Sequence, residues 1–209
     1  MAVIPLAVRQ ARLERYCHEV QSCRICPAMN DGQARVLSST NGRAGARVMF
    51  IAEAPGRKGA DRTCVPIHGD ATGDNFEWLL SEIKWQRGDV FVTNAVLCNP
   101  RDSSGNNRPP TGDELANCSR HLGRQIELVR PLVIATLGNN ALNAIGLIEP
   151  HSVPSLRSGV ARCFRWSGRW LFPLYHPSPR ATLHRDLMRQ RDDWAMLRDF
   201  VESLLCQSE

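Results

Sequence analysis

No apolar run in the 209-residue chain approaches the roughly 18 residues that a membrane-crossing helix needs. The N-terminus turns charged at Arg9 and has neither the apolar core nor the small-residue cleavage site of a secretory leader. Internal repeats and low-complexity tracts are missing. At 43% hydrophobic and 22% charged residues, the composition excludes disordered, collagen-like and coiled-coil chains. There is no Gly-x-x-x-x-Gly-Lys phosphate loop, which argues against a nucleotide hydrolase. Lysine is scarce: of 26 Lys and Arg residues only Lys58 and Lys84 are lysines. The net charge of +5 is compatible with a nucleic-acid partner without demanding one, and arginine's planar fork suits phosphate. The expectation is a cytoplasmic, monomeric protein of one domain spanning 1–209, begun by a helix and a Cys-x-x-Cys segment over about 1–30. A chain of this length buries on the order of 70% of its unfolded surface and folds without cross-links.

Cysteine is what the sequence does have. Eight cysteines in a reducing compartment are metal ligands, catalytic groups or small core residues rather than disulfides. Cys23-x-x-Cys26 places two thiolates on one turn, and Cys98 and Cys118 follow as distant singles. A pair with two singles suits either an iron–sulfur cluster or a zinc ion held by four thiolates, and spacing alone leaves both open. Cys17, Cys64, Cys163 and Cys206 have no partner at ligand spacing; only Cys17 is near enough to substitute.

Apolar runs alternate with helical periodicity. Arg47–Ala52, Val90–Leu97, Leu132–Leu137 and Trp170–Leu174 read as strands, the second ending at Cys98. Helices are predicted over 6–20, 74–84, 113–129, from Gly138-Asn139-Asn140 onward, and over 186–205, with a helix-start box at Thr111 to Glu114. Asn30 to Gly45 and Asn99 to Gly112 read as loops. Near-continuous apolar strands between helices imply a three-layer α/β/α fold with a central four-stranded parallel sheet. In such a fold the ligand crevice lies off the carboxyl ends of the strands. Those ends carry Glu53-Ala54-Pro55-Gly56, the loop after Leu97, Gly138-Asn139-Asn140 and Tyr175-His176-Pro177.

Taken in order, these motifs resemble the iron–sulfur uracil-DNA glycosylases of families 4 and 5. The resemblance runs from about Ser22 to Trp194. It rests on Cys23-x-x-Cys26, Glu53-Ala54-Pro55-Gly56, Thr93-Asn94-Ala95-Val96-Leu97-Cys98, Asn107-Arg108-Pro109-Pro110-Thr111, Cys118, Leu137-Gly138 and His176-Pro177-Ser178. Glu53-Ala54-Pro55-Gly56 is similar to the family-4 first motif, whereas Gly59–Thr63 and His68–Gly73 are closer to family 5. The resemblance implies a 4Fe–4S cluster on Cys23, Cys26, Cys98 and Cys118, and uracil-containing DNA as partner. Where related enzymes place a phenylalanine against uracil, the nearest residue here is Ile67 or His68. Asp102-Ser103-Ser104-Gly105 lengthens the Cys98–Cys118 interval, which a surface loop tolerates cheaply. Nothing resembles the basic, His-containing insertion of the branch that bonds covalently to its substrate.

Cleaving the bond from base to sugar gives the sugar cation character and the base an anion's charge. Fixed dipoles and a positioned water meet both needs once the base is flipped into a pocket. The resemblance makes His176 the donor to the uracil carbonyl, Asn94 the reader of the base edge, and Asp70 or its rival Glu53 the carboxylate near sugar and water. Ala54, Pro55, Gly56, Ile67 and His68 would line the base pocket. Gly138 and Asn139 would meet phosphate, and Pro177, Ser178, Pro179 and Arg180 would enter the groove, with Arg185 and Arg189 nearby or simply on a solvated face. A broader specificity for deaminated bases, or a non-catalytic DNA-binding module, remains the alternative.

Overall fold

Consecutive apolar residues, rather than alternating ones, build the strands, because each strand is covered on both faces. The computed structural model describes residues 4–29 and 32–207; Asn30, where the first loop was expected to begin, lies outside them. In chain order the main elements are α1 (Leu6–Gln21), β1 (Val48–Ala52), α2 (Ala60–Thr63), α3 (Ala71–Glu82), β2 (Phe91–Asn94), α4 (Gly112–Val129), β3 (Val133–Leu137), α5 (Asn139–Ile148), α6 (Leu156–Gly159), β4 (Phe164–Trp166), β5 (Arg169–Leu174) and α7 (Leu187–Cys206). They form one sheet of order β2-β1-β3-β5-β4. Every neighbouring pair is parallel except β4 with β5.

The pleat sends alternate residues of β1 to opposite layers. Met49 and Ile51 join Leu13, Leu122 and Ile145 under α1, α4 and α5. Val48, Phe50 and Ala52 join Leu79 and Leu197 under α3 and α7. There Trp194 stacks on Phe50 with centroids 4.8 Å apart, and Phe76 meets both rings edge-on. The three layers agree with the sequence. The fifth strand does not appear in the sequence reading, because its three residues include the exposed Arg165 and are too short to carry a period. It is held by a two-residue turn at Ser167-Gly168, both at positive φ, and by Arg165 lying 3.7 Å over the Trp170 ring.

The second strand stops at Asn94, not Leu97. Ala95 and Val96 still donate to the Ala52 and Glu53 carbonyls at 2.7 and 3.1 Å, but the chain then turns under α4 and carries Val96 and Leu97 into the core beside the cysteines. That run is apolar for burial there, not for sheet pairing. At Thr111 the predicted box forms: the Thr111 hydroxyl accepts from the Glu114 amide at 3.2 Å, and the Glu114 carboxylate accepts from the Thr111 amide at 2.8 Å. Among the described residues no helix is long and apolar enough to cross a membrane.

Candidate active site

The ends of β1, β2 and β5 open into one cleft of about 480 Å³. Glu53, Ala54, Pro55 and Gly56 leave β1 along one wall, Asn94 ends β2 at the floor, and His176 follows β5. Asp70 and Ile67 come from the segment that leads into α3.

Asp70 is the N-cap of α3. Its Oδ1 accepts from the Thr72 and Gly73 amides at 3.0 and 3.1 Å, which fixes the carboxylate. Its Oδ2 carries no hydrogen bond within the described residues and lies against Gly56 and Gly59. A Cβ on Gly56 would sit 3.1 Å from that oxygen, and one on Gly59 would collide with it. The two glycines therefore make the room in which the carboxylate stands. Glu53 is held differently: its Oε2 accepts from Asn140 Nδ2 of α5 at 2.8 Å.

Burial pulls the His176 imidazole down to about 4, and the nearby charge of Asp70 only partly opposes this. At neutral pH the ring is uncharged and keeps one N–H to donate. Gly138, at φ 90°, sits directly behind it, 3.5 Å from the His176 Cβ to a Cβ placed on the glycine. Asn94 is 1% exposed and its Nδ2 has no partner among the described residues. An amide sealed from water and left unpaired is costly unless a ligand completes it. The cleft is the open side from which a ligand can do so.

Ile67 adopts a left-handed backbone, φ 48°, a strained choice for a β-branched residue. Arg87 secures it, donating to the Pro66 and Ile67 carbonyls at 2.9 Å each while paired with Glu77 at 2.6 Å. His68, Ser178 and Arg180 complete the predicted part of the lining. Pro177 and Pro179 do not line it; Asn75 Nδ2 holds the Pro177 carbonyl at 2.7 Å, and Pro179 stands exposed beside Arg180. Gly138 and the exposed Asn139 are not part of the cleft lining. Arg185 turns inward to ion-pair with the buried Asp193, and Arg189 pairs with Asp186 at 3.3 Å, so the solvated-face reading holds for Arg189 and neither is a free cation.

Several cleft residues escaped the sequence reading as site residues. Asn99 donates to the Pro55 carbonyl at 2.6 Å and to Asn107 Oδ1 at 2.9 Å, and that same oxygen accepts from the Arg57 amide at 3.0 Å. Together they brace the Pro55-Gly56 wall. Arg101 in turn binds Asn99 Oδ1 at 2.7 Å and ion-pairs with Asp61. The motif around Asn107 was the available signal; its partner eight residues earlier was not. An adjoining recess of about 350 Å³ shares Asp70, Thr72 and Asn107 and adds Arg57 and Lys58. Next to Arg180, in the turn Ala181–Leu183, Leu183 is 83% exposed at the cleft mouth, where Ala181 and His184 line it.

A second site lies under α1 and α4. Cys23, Cys26, Cys98 and Cys118 line one small cavity with Val20, Met29 and Leu97. Burial, reinforced by the other cysteines, pushes the Cys98 thiol up to about 11 and that of Cys118 up to about 12. The Leu97 amide points at Cys118 Sγ at 3.4 Å, and Asn117 Nδ2 at Cys26 Sγ at 3.5 Å, the donors that thiolate ligands accept. Among the described residues no three His, Cys, Asp or Glu side chains close to the spacing of one ion's ligands. Four thiols that share one cavity lining are a donor set suited to an iron–sulfur cluster or to a zinc ion. Cys17 is core, and Cys64, Cys163 and Cys206 are exposed; none of the four lines this cavity.

Residues 40–201 match the family model of the uracil DNA glycosylase superfamily. A type-4 uracil-DNA glycosylase of Sulfurisphaera tokodaii is 31% identical over 90% of this chain and 84% of its own length. Another, of Archaeoglobus fulgidus, is 32% identical over 85% of this chain and 86% of its own. A type-5 uracil-DNA glycosylase of Pyrobaculum aerophilum is 34% identical over 64% and 62%.

Proposed function

Since the chain belongs to the uracil DNA glycosylase superfamily, with likeness to both type-4 and type-5 members, we propose that it hydrolyses the bond between uracil and deoxyribose in DNA and leaves an abasic site for further repair. The observation that carries this reading is that one cleft brings together a neutral His176, the free oxygen of Asp70 and an Asn94 amide without a partner among the described residues.

A uracil flipped from the stack enters the cleft and meets Asn94, whose amide offers both a donor and an acceptor to the base edge. As the C1′–N bond breaks, its electron pair passes to the base, and negative charge grows on the uracil carbonyl. The N–H of His176 donates to that oxygen and needs no prior protonation. The sugar carbon becomes cationic beside Asp70 Oδ2, which holds the attacking water. The water's oxygen bonds to the carbon and its proton leaves through the carboxylate. Asp70 is assigned the principal role because two backbone amides fix its carboxylate with Oδ2 left free between Gly56 and Gly59, whereas Glu53 is held by a single side chain, Asn140. Ala54, Pro55 and Gly56, braced by Asn99, close the pocket with Ile67 and His68.

Outside the pocket, Arg57, Lys58 and Arg180 take the phosphates, with Gly138 and Asn139 in a supporting position behind His176. Pro177, Ser178 and Pro179 present Leu183 as the apolar wedge that fills the space left by the base. Cys23, Cys26, Cys98 and Cys118 hold a 4Fe–4S cluster. Bound there, it cross-links three chain segments; hydrolysis moves no electrons and asks no redox step of it. The protein acts as a one-domain monomer in the cytoplasm, a compartment suited to its exposed thiols.

The test is a uracil-containing oligonucleotide cleaved by alkali after incubation with the protein. Strand breaks at uracil support the reading, and intact strands would favour a DNA-binding module without catalysis. Because the wall carries Ile67 rather than an aromatic ring, hypoxanthine and thymine substrates belong in the same gel. Cleavage at all three would replace uracil specificity with a broader deaminated-base activity.

A further inference from the structure

The cysteine cavity contains one polar atom that the fold leaves without a partner. His121 stands one turn beyond Cys118 on α4, so the two project from the same face, and its ring lines the cavity with the sulfurs. Nδ1 is taken: it lies 2.5 Å from the Tyr16 hydroxyl of α1. Nε2 is buried and meets no partner within the described residues.

The surroundings select the tautomer. Were Nδ1 the protonated atom, the bare Nε2 lone pair would face a cavity lined by sulfur lone pairs. With the proton on Nε2, the Tyr16 hydroxyl donates to Nδ1 and the ring turns an N–H toward acceptors. Burial keeps the Tyr16 phenol protonated, its ionisation pushed up to about 12, so it has that proton to give. The Leu97 amide and the Asn117 side chain already address the sulfurs from other sides.

We propose that His121, oriented by Tyr16, donates an Nε2–H···S hydrogen bond to the iron–sulfur group held by the four cysteines, and that the pair Tyr16–His121 tunes the electron density of that group. The inference rests on the cluster reading above. A hydrogen bond to sulfur stabilises the more reduced, more negative state, so losing it lowers the reduction potential.

The experiment uses the full chain purified without oxygen, its iron and sulfide measured first, then a redox titration and resonance Raman spectra of the Fe–S stretching bands. His121→Leu is expected to lower the potential and shift the bands. Tyr16→Phe should move both in the same direction by less, and His121→Gln, which keeps a donor, should restore part of each. Uracil excision should stay within about twofold of wild type in all three, since none touches the cleft. If His121→Leu fails to retain iron, Tyr16→Phe and His121→Gln decide, and unchanged potentials in both overturn the inference. Wild-type protein free of iron overturns the cluster reading and this inference with it. A cluster-bearing wild type with an unshifted His121→Leu variant overturns this inference alone.

Discussion

The cleft and the cysteine cavity lie a few residues apart along the chain and solve opposite problems. Asn94 belongs to the first, Cys98 to the second, and Asn99 to the first again. The cleft is large and lined by polar and apolar groups alike: hydrogen bonds fix Asp70 through Oδ1 and leave Oδ2 open, Asn94 Nδ2 has no partner among the described residues, and the uncharged His176 ring lines the same space. The cavity is small, mostly apolar and lined by sulfur, and the Leu97 amide and Asn117 side chain point at two of its sulfurs. On the proposed reading one region acts on a passing group and the other holds a resident one. Mutations in the two should therefore fail differently.

The sharpest break of that contrast comes from the cleft. His176→Ala is expected to slow single-turnover excision by about 10²–10⁴-fold, the range of a lost general-acid or oxyanion donor, while iron content and unfolding midpoint stay near wild type. In the cavity, Cys118→Ala should do the reverse first, releasing iron and costing about 3 kcal/mol or more of stability in denaturant unfolding. Equal loss of activity and of stability in both variants would erase the distinction. Smaller is Glu53→Gln, expected within about tenfold, on the order of 1.4 kcal/mol of barrier, because Asp70 is assigned the water and Asn140 holds one Glu53 oxygen.

A pH effect acts on stability rather than on rate. The folded imidazole of His176 is pulled down to about 4, below its ordinary value of 6.5, so between those values the unfolded chain binds the extra proton. Stability should fall as pH drops through that window. His121 shifts in the same direction, so the share belonging to His176 is the difference in slope between wild type and His176→Asn. Equal slopes would show the ring to be solvated. Least of all, Leu183→Ala should raise KM for duplex substrate a few-fold, with little change for single strands, where no stack needs wedging.

The sequence made the cavity's cysteines legible only in part, and the cleft's scaffolding less so. Cys23-x-x-Cys26 is a local pattern, whereas Cys98 and Cys118 carry no diagnostic spacing and are grouped with it by the family resemblance alone. Thr111 with Glu114 reads as a box because it is settled within a few residues, whereas the helix expected over 74–84 begins at Ala71, so the capping role of Asp70 goes unread. Asn99, Gly59 and Arg87 act through partners that only the fold brings near: a carbonyl 44 residues away, a carboxylate oxygen, and a strained Ile67. Val90–Leu97 misled for a related reason, since burial beside the cysteines and burial in a sheet ask for the same apolar residues. The reach of Arg185 to Asp193 was equally hidden, as both charges look solvent-bound when read along one helix.

The proposed reading is that Asp70 positions the water in a cleft whose fold is maintained elsewhere. It is tested most directly by the single-turnover rate of Asp70→Asn on a single-stranded uracil oligonucleotide, with iron content and free uracil measured on the same preparation. The account predicts full iron, uracil released by wild type in step with abasic sites, and a rate at least about 100-fold lower in the variant. Excision by Asp70→Asn at the wild-type rate, or no uracil released by the wild type itself, would contradict it.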